Sequence, residues 1–319
     1  MKQDFPKVIF FGTPEFAIPS LKALVERKIP VELVVTRPDR KKGRGQKLSA
    51  PPVKEFATEA GLECYQPETL KDPEVMEKLG KYEADCLVIV AYGQLIPREL
   101  IEMTPLGAIN VHPSLLPKYR GAAPIQRAIM TGESETGVSI MLLDEGMDSG
   151  PILSQEKIAI KSDDTLGILH DKLAQMGAEI LVDAIKNYYR GELNPVPQDH
   201  EKATFAPAIS KSECLIDWTR SSEDICNLIR AIDPVPGAYT YWDGKILKIF
   251  SPRVEKIELG GKPGEVVEAA PHGLLVATGD GIGLRINEVQ LAGQRRMKFA
   301  EFARGKGKKL IPGTILGGE

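Results

Sequence analysis

The chain has 319 residues, long enough for about two domains of ordinary size. Hydrophobic residues make up 42% and charged residues 27%, which excludes disordered, collagen-like and heptad-repeat chains. Net charge is −3, which excludes a histone-like nucleic-acid binder, although residues 208–319 hold 16 basic and 14 acidic side chains, so the acidic excess lies wholly in the first 207.

Val8 to Phe11 is a short apolar run that Gly12-Thr13-Pro14-Glu15 breaks, and Ala17, Leu21, Leu24 and Val25 then recur at helical spacing: strand, turn, helix. Val31 to Val35 continues as a strand. Val53, Phe56, Ala57 and Ala60 form one helix face, Val75, Met76 and Leu79 another, and Cys86 to Ala91 is a continuous apolar strand. Next come a strand at 108–111, a helix at 124–130, a strand at 138–143 and, after Asp164, a long helix with Gly191 as its C-cap. Strands alternating with helices predict an α/β domain whose mostly parallel sheet is covered on both faces.

Residues 192–207 contain Pro195, Pro197 and Pro207 without periodicity and read as a linker. Beyond it the pattern predicts one helix at 222–232 and then short strands at 238–242, 245–250, 264–268, 273–278 and 283–290, with Asp243-Gly244 as a hairpin turn. Five short strands with glycine corners predict a small closed barrel. The boundaries expected are therefore 1–191, a linker at 192–207, and 208–319.

Cys64, Cys86, Cys214 and Cys226 form no CxxC pair, so neither zinc nor a disulfide framework is expected. The amino terminus shows no signal-peptide pattern and no apolar run reaches about 18 residues, so the expectation is a cytoplasmic chain with no membrane partner.

The first loop stands where a dinucleotide site would be, but it lacks GxGxxG, and Glu15 would repel a pyrophosphate. In the usual doubly wound order the crevice falls between the first strand and the strand at Cys86–Ala91. Asn110 and His112 are two apart on a strand and so share a face. An isolated pair of this kind is ordinarily a turn cap and a core histidine; at the carboxyl end of a strand it can instead aim an amide and an imidazole into the crevice. Asp148, between Gly146 and Gly150, is either a turn residue or the carboxylate that orients His112.

Several segments together carry a resemblance: Gly12-Thr13-Pro14-Glu15-Phe16, Arg37-Pro38-Asp39-Arg40 with Gly43-Arg44-Gly45, Val90-Ala91-Tyr92-Gly93, Asn110 to Pro117, Arg120 to Ile125, and Glu135 to Val138. With Ile216-Asp217-Trp218 and Ala277 to Gly281, the chain resembles the 10-formyltetrahydrofolate-dependent formyltransferases, and among them the methionyl-tRNA formyltransferase family, over essentially its whole length. The resemblance implies a Rossmann-like doubly wound sheet followed by an OB-like β-barrel. It implies transfer of a formyl group from 10-formyltetrahydrofolate to methionyl initiator tRNA, with Asn110, His112 and Asp148 catalytic and no metal.

By the same resemblance, Ser114, Leu115, Leu116 and Pro117, with Gln94, Leu95 and Ile96, would wall the folate pocket, and Phe16 would help hold the methionine side chain. Arg37, Arg40, Lys41, Lys42, Arg44 and Lys47 would form an arm into the acceptor stem, with Arg44 its wedge. Arg304, Lys306 and Lys308, near Arg295, Arg296, Lys298 and Lys309, would track tRNA phosphates. A bacterial monomer that takes no DNA is expected. The rivals are a formyltransferase acting on a sugar or ribonucleotide amine, a hydrolase that discards the formyl group, and an inactive tRNA-binding module. The basic arm and the barrel argue against the first two, and the intact Asn, His and Asp set against the third.

Overall fold

The computed structural model describes residues 4–42 and 45–317, which fall into two units. The first holds Met1–Gly121, Glu135–Ile158 and His170–Ala206; the second holds Ala122–Ser134, Ala159–Leu169 and Pro207–Glu319.

The strands begun in the first unit are β1 (Val8–Gly12), β2 (Val31–Val35), β3 (Arg40–Lys42), β4 (Lys47–Ser49), β5 (Cys64–Tyr65), β6 (Cys86–Val90), β7 (Ala108–His112), β8 (Glu135–Leu142) and β9 (Ile152–Ala159). All but β3 and β4 form a seven-stranded sheet in the order β5-β2-β1-β6-β7-β8-β9. β5, β2, β1, β6 and β7 are mutually parallel, and β8 runs antiparallel to β7. β1 and β6 are buried at every residue, as their unbroken apolar runs require of strands covered on both faces. β2 and β6 flank β1 on opposite sides, so the switch point lies between β1 and β6, as expected.

Helices α1 (Ile18–Glu26), α2 (Pro52–Glu59), α3 (Pro73–Gly80) and α4 (Arg98–Ile101) connect these strands. Gly12 sets the tight exit from β1: a Cβ there would stand 2.7 Å from the Phe10 ring and 2.8 Å from the Ala17 methyl. β9 escapes the sequence pattern because Ser154, Gln155, Glu156 and Lys157 interrupt its apolar residues; four of its eight residues are exposed, as suits a charged edge strand.

Helix α5 (Pro124–Met130) belongs to the second unit, although the sequence reading placed it within 1–191. α6 (Leu166–Tyr189) follows, and Gly191 after it has φ +71°, the left-handed turn expected of a helix stop. Residues 192–206, expected as linker, are held in the first unit. Ile152 and Val196 exchange backbone hydrogen bonds of 2.8 Å, and the Arg120 N–H and C=O pair with Thr204 and Ala206 at 2.9 and 2.7 Å.

In the second unit, α7 (Ser222–Ala231) is capped by Ser221, whose hydroxyl accepts from the Asp224 N–H, and it packs on α5. Strands β10 (Tyr239–Trp242), β11 (Lys245–Glu258), β12 (Val266–Ala270), β13 (Gly273–Ala277), β14 (Ile282–Leu291) and β15 (Met297–Lys298) make an antiparallel sheet in the order β10-β11-β14-β13-β12, with β15 beside β14. Asp243 and Gly244 take φ +51° and +65°, the paired left-handed residues of the expected hairpin. The sheet closes through the chain end: Leu316 N–H bonds to Gly264 C=O on the β12 side at 2.8 Å, and Gly317 N–H to Tyr241 C=O on β10 at 3.0 Å. A helix α8 (Phe299–Arg304) inserts Phe299 and Phe302 into the core.

Candidate active site

Asn110 and His112 stand at the carboxyl end of β7, paired opposite Met141 and Ser139 of β8. Asn110 is half-buried and lines a cavity of about 450 Å³; Asp148, on the loop between β8 and β9, lines the same cavity. His112 is only 4% exposed and stands behind Asp148, its Nδ1 at 3.6 Å from Asp148 Oδ2. That is charge-pair distance and too long for a hydrogen bond. His112 Nε2 lies 3.0 Å from the Tyr119 carbonyl oxygen, which can only accept, so the proton of a neutral ring sits on Nε2 and Nδ1 faces the carboxylate. The sequence pairing of His112 with Asp148 thus has a geometric counterpart.

The loop that carries Asp148 is shaped locally. A Cβ at Gly150 would fall on the Leu142 carbonyl oxygen, and Asp144 closes a turn by accepting from Gly146 N–H (3.0 Å) and Ser149 Oγ (2.7 Å). Asp148 has φ +48°. Its Oδ2 accepts from the Gly121 N–H at 2.8 Å, and its carbonyl accepts from Gln198 Nε2 at 2.9 Å. In the sequence Arg120 stands out only as the start of a segment that carries the resemblance, with no site role, and Gln198 not at all, since a glutamine in a proline-rich segment carries no signal.

Gln94, Leu95 and Ile96 line the cavity with Asn110, Met147 and Asp148. Leu95 is 82% and Met147 63% exposed, which gives the cavity an apolar rim suited to a flat heterocycle. Ser114, Leu115, Leu116 and Pro117 line neither this cavity nor the neighbouring one. Ser114 is fully buried, its hydroxyl donating to the Lys118 carbonyl at 2.7 Å, and Leu116 N–H donates to Ser139 Oγ.

A second cavity of about 500 Å³ opens at the carboxyl ends of β1 and β6, lined by Thr13, Glu15, Arg37, Arg40, Lys41 and Tyr92 among others. Ala91, Tyr92 and Gly93 line both cavities, and Thr13 Oγ1 donates to the Tyr92 carbonyl at 2.8 Å, tying the β1 loop to the β6 loop. Burial pushes the Tyr92 phenol up to about 12.

The basic segment is a β3–β4 hairpin in which Arg40, Lys41 and Lys42 pair with Ser49, Leu48 and Lys47. Its base is clamped: Lys54 Nζ reaches both Asp39 oxygens at 2.9 and 2.8 Å, and Gln66 Nε2 donates to Asp39 Oδ1 and the Arg37 carbonyl. The Lys54 hydrogen bond holds the Asp39 carboxyl below its ordinary range. Lys47 is exposed; Arg44 lies outside the described residues. Phe16 is 5% exposed with its ring edge-on to His170 at 5.2 Å, so it packs in the core and lines neither cavity.

In the second unit Arg304, Lys306 and Lys308 are exposed. Arg295 pairs with Glu301. Arg296 is committed to the fold, bonding Asp233 at 2.6 Å and Glu288 at 2.7 Å and lying 4.1 Å over the Phe250 ring. Among the described residues no group of three or more His, Cys, Asp or Glu could hold a metal ion, and no helix is long and apolar enough to cross a membrane.

Comparison with known proteins gives this arrangement its class. Residues 6–185 match the Formyl transferase family and residues 208–307 match Formyl transferase, C-terminal domain. The fold is shared with HypX from Aquifex aeolicus in complex with tetrahydrofolic acid (TM-score 0.67, 20% identity, 97% of this chain and 49% of that one). It is shared also with the sugar 3N-formyl transferase WlaRD (TM-score 0.66, 19% identity, 91% and 98%). The chain is a formyltransferase with the family's two-domain content.

Methionyl-tRNA formyltransferase of Desulforamulus reducens is 45% identical over 314 residues, 98% of each chain, and that of Coxiella burnetii 43% identical over 312 residues, 98% of this chain and 99% of the relative. This chain belongs to the methionyl-tRNA formyltransferase family.

Proposed function

We propose that the cavity at Asn110 and Asp148 is where this chain transfers the formyl group of 10-formyltetrahydrofolate to the free amino group of methionyl initiator tRNA, giving N-formylmethionyl-tRNA for translation initiation. The observation that carries this reading is that an amide and a carboxylate share one cavity wall, with a histidine ring behind the carboxylate. The folate supplies the formyl carbon, and an amine is already nucleophilic, so the chain's task is orientation, charge stabilisation and proton movement.

Asn110 donates its amide hydrogen to the formyl oxygen as that oxygen gains charge; one such donor is worth about 2.7–4 kcal/mol. The neutral amine bonds to the formyl carbon, Asp148 takes the proton that the resulting ammonium loses, and that proton is delivered to N10 as the N10–formyl bond breaks and tetrahydrofolate leaves. His112, with Nε2 held on Tyr119, turns Nδ1 to the Asp148 carboxylate; its part as a second donor toward the oxyanion rests on the resemblance. Gln94, Leu95 and Ile96 wall the folate, and Ser114, Leu115, Leu116 and Pro117, which follow His112 and Pro113, bound the same strand end. Their assignment rests on the resemblance.

The methionyl-adenosine end is assigned to the basic cavity on the other side of Ala91, Tyr92 and Gly93, with Phe16 bracing its first loop from inside. Arg37, Arg40, Lys41, Lys42 and Lys47 meet the acceptor stem, and Arg44 is assigned the wedge. Arg304, Lys306 and Lys308 of the 208–319 domain take tRNA phosphates, while the 1–191 domain carries the chemistry. A monomer acting in a bacterial cytoplasm is the assignment that goes with these substrates.

The test mixes the protein with 10-formyltetrahydrofolate and methionyl initiator tRNA, with elongator methionyl-tRNA as control. Formylation confined to the initiator is expected. Folate turnover without tRNA formylation, or equal formylation of both tRNAs, overturns the substrate assignment.

A further inference from the structure

Gln198 sits in the proline-rich stretch 192–207, yet it is 6% exposed and its amide is fully used. Nε2 donates to the carbonyl oxygens of Asp148 at 2.9 Å and Gly150 at 2.7 Å, and Oε1 accepts from Arg120 Nε at 3.1 Å and Nη2 at 2.7 Å. A primary amide has two N–H donors and one oxygen with two lone pairs, so all four positions are filled. Arg120 is itself buried, its Nη2 lies 3.2 Å from His200 Nδ1, and its backbone is paired to Thr204 and Ala206. The next residue, Gly121, donates the N–H that holds Asp148 Oδ2.

Asp148 is therefore gripped twice, by its carboxylate through Gly121 and by its carbonyl through Gln198, and both grips meet at Arg120. Its backbone has φ +48°, a region that a non-glycine residue keeps only where its surroundings hold it there. Buried polar groups satisfied at every position fix a single geometry, and a half-satisfied network loses it.

We propose that Gln198 is a positioning residue for formyl transfer, with Arg120 as its anchor: its amide holds the Asp148 loop so that the carboxylate faces the cavity and His112. This rests on the assignment of Asp148 to the reaction. Gln198→Glu keeps the shape but presents an oxygen to two carbonyl oxygens, and Gln198→Met keeps the volume and removes every bond.

The test measures kcat and KM for both substrates in the full chain, and single-turnover rates with enzyme in excess, for each variant in the parent and in an Asp148→Ala background. Displacement of a proton-transfer group by about 1 Å lowers kcat on the order of 100-fold. The expected result is a kcat loss of that order with both KM values within about twofold. In the Asp148→Ala background the same substitutions should change the single-turnover rate by less than about twofold, because a group acting only through Asp148 has nothing left to position. A kcat close to that of the parent, a loss carried by KM, or the full loss repeated in the Asp148→Ala background overturns the proposal. If neither variant folds, Arg120→Lys, which keeps the charge but offers Oε1 one nitrogen in place of two, is measured in the same two backgrounds. Absence of transfer by the parent chain itself would instead strike the functional assignment.

Discussion

The Gly121 N–H donates to Asp148 Oδ2 at 2.8 Å, so a backbone donor at φ +120° holds the candidate catalytic carboxylate from outside the cavity. A Cβ at Gly121 would stand 2.9 Å from the Ala206 carbonyl oxygen. Gly121→Ala therefore combines a strained backbone with a collision against a peptide group, and it should destabilise the chain by about 1–3 kcal/mol. It should also lower kcat by about tenfold or more, because the donor moves off Asp148. Thermal unfolding and kcat measured together check this; a variant with parental kcat would show that the Gly121 contact does not set the carboxylate.

Asn110→Ala removes the asparagine amide that lines the cavity with Asp148. Formyl transfer should fall by about 10²–10³ in kcat. Affinity for methionyl-tRNA should hold, since the arm and the barrel basic residues are untouched. Turnover assays beside filter binding separate the two effects, and near-normal turnover would remove Asn110 from the mechanism.

The elements that position the site were legible where burial dictates sequence. Val8–Phe11 and Cys86–Val90 are unbroken apolar runs because both faces of those strands are covered, and their adjacency at the switch point follows from the doubly wound order. The Asp243-Gly244 hairpin was legible because its two φ values demand those residue types. The β3–β4 hairpin was not legible, because its cations mask any alternation, and β9 was not, because charged edge residues interrupt its apolar ones. The end of the chain closes the barrel through backbone hydrogen bonds at Gly264 and Tyr241 that carry no side-chain signature. The site was half legible: strand alternation placed Asn110 and His112 together, while the grip of Gln198 on Asp148 spans fifty residues of sequence and leaves no pattern.

Acid should act on the second unit through Glu213. Its carboxylate bonds Arg127 Nη1 at 2.6 Å and takes hydrogen bonds from Ser210, and these hold its pKa down at about 2. An unfolded glutamate titrates near 4.3, so the unfolded chain binds the proton first as pH falls. The stabilisation is complete above the unfolded value and is lost progressively as pH drops from about 4.5 toward 2. Glu213 is about a third exposed, so solvent screening leaves only part of the shift as stability. Glu213→Gln should lower the melting temperature at pH 7 and flatten its decline between pH 4.5 and 2; an unchanged acid profile would show the pair to be energetically idle.

Arg304, Lys306 and Lys308 follow one another along α8 and the turn after it, exposed and on the same short stretch, whereas Arg296 is bound to Asp233 and Glu288. If the exposed three each neutralise a tRNA phosphate, replacing all three with alanine releases about three fewer counterions on binding. The slope of log K against log salt should then shrink by about 2–3, with a loss of affinity that is greatest at low ionic strength. Because these side chains stand apart from Asn110 and Asp148 in sequence and carry no formyl chemistry, kcat at saturating tRNA should stay within about twofold of the parent. Arg296→Ala should do the opposite, lowering the melting temperature by leaving Asp233, only 4% exposed, without its cation, while the salt slope holds. Binding measured across a salt series for both variants decides the matter: an unchanged slope in the triple variant would move the phosphate contacts elsewhere on the barrel.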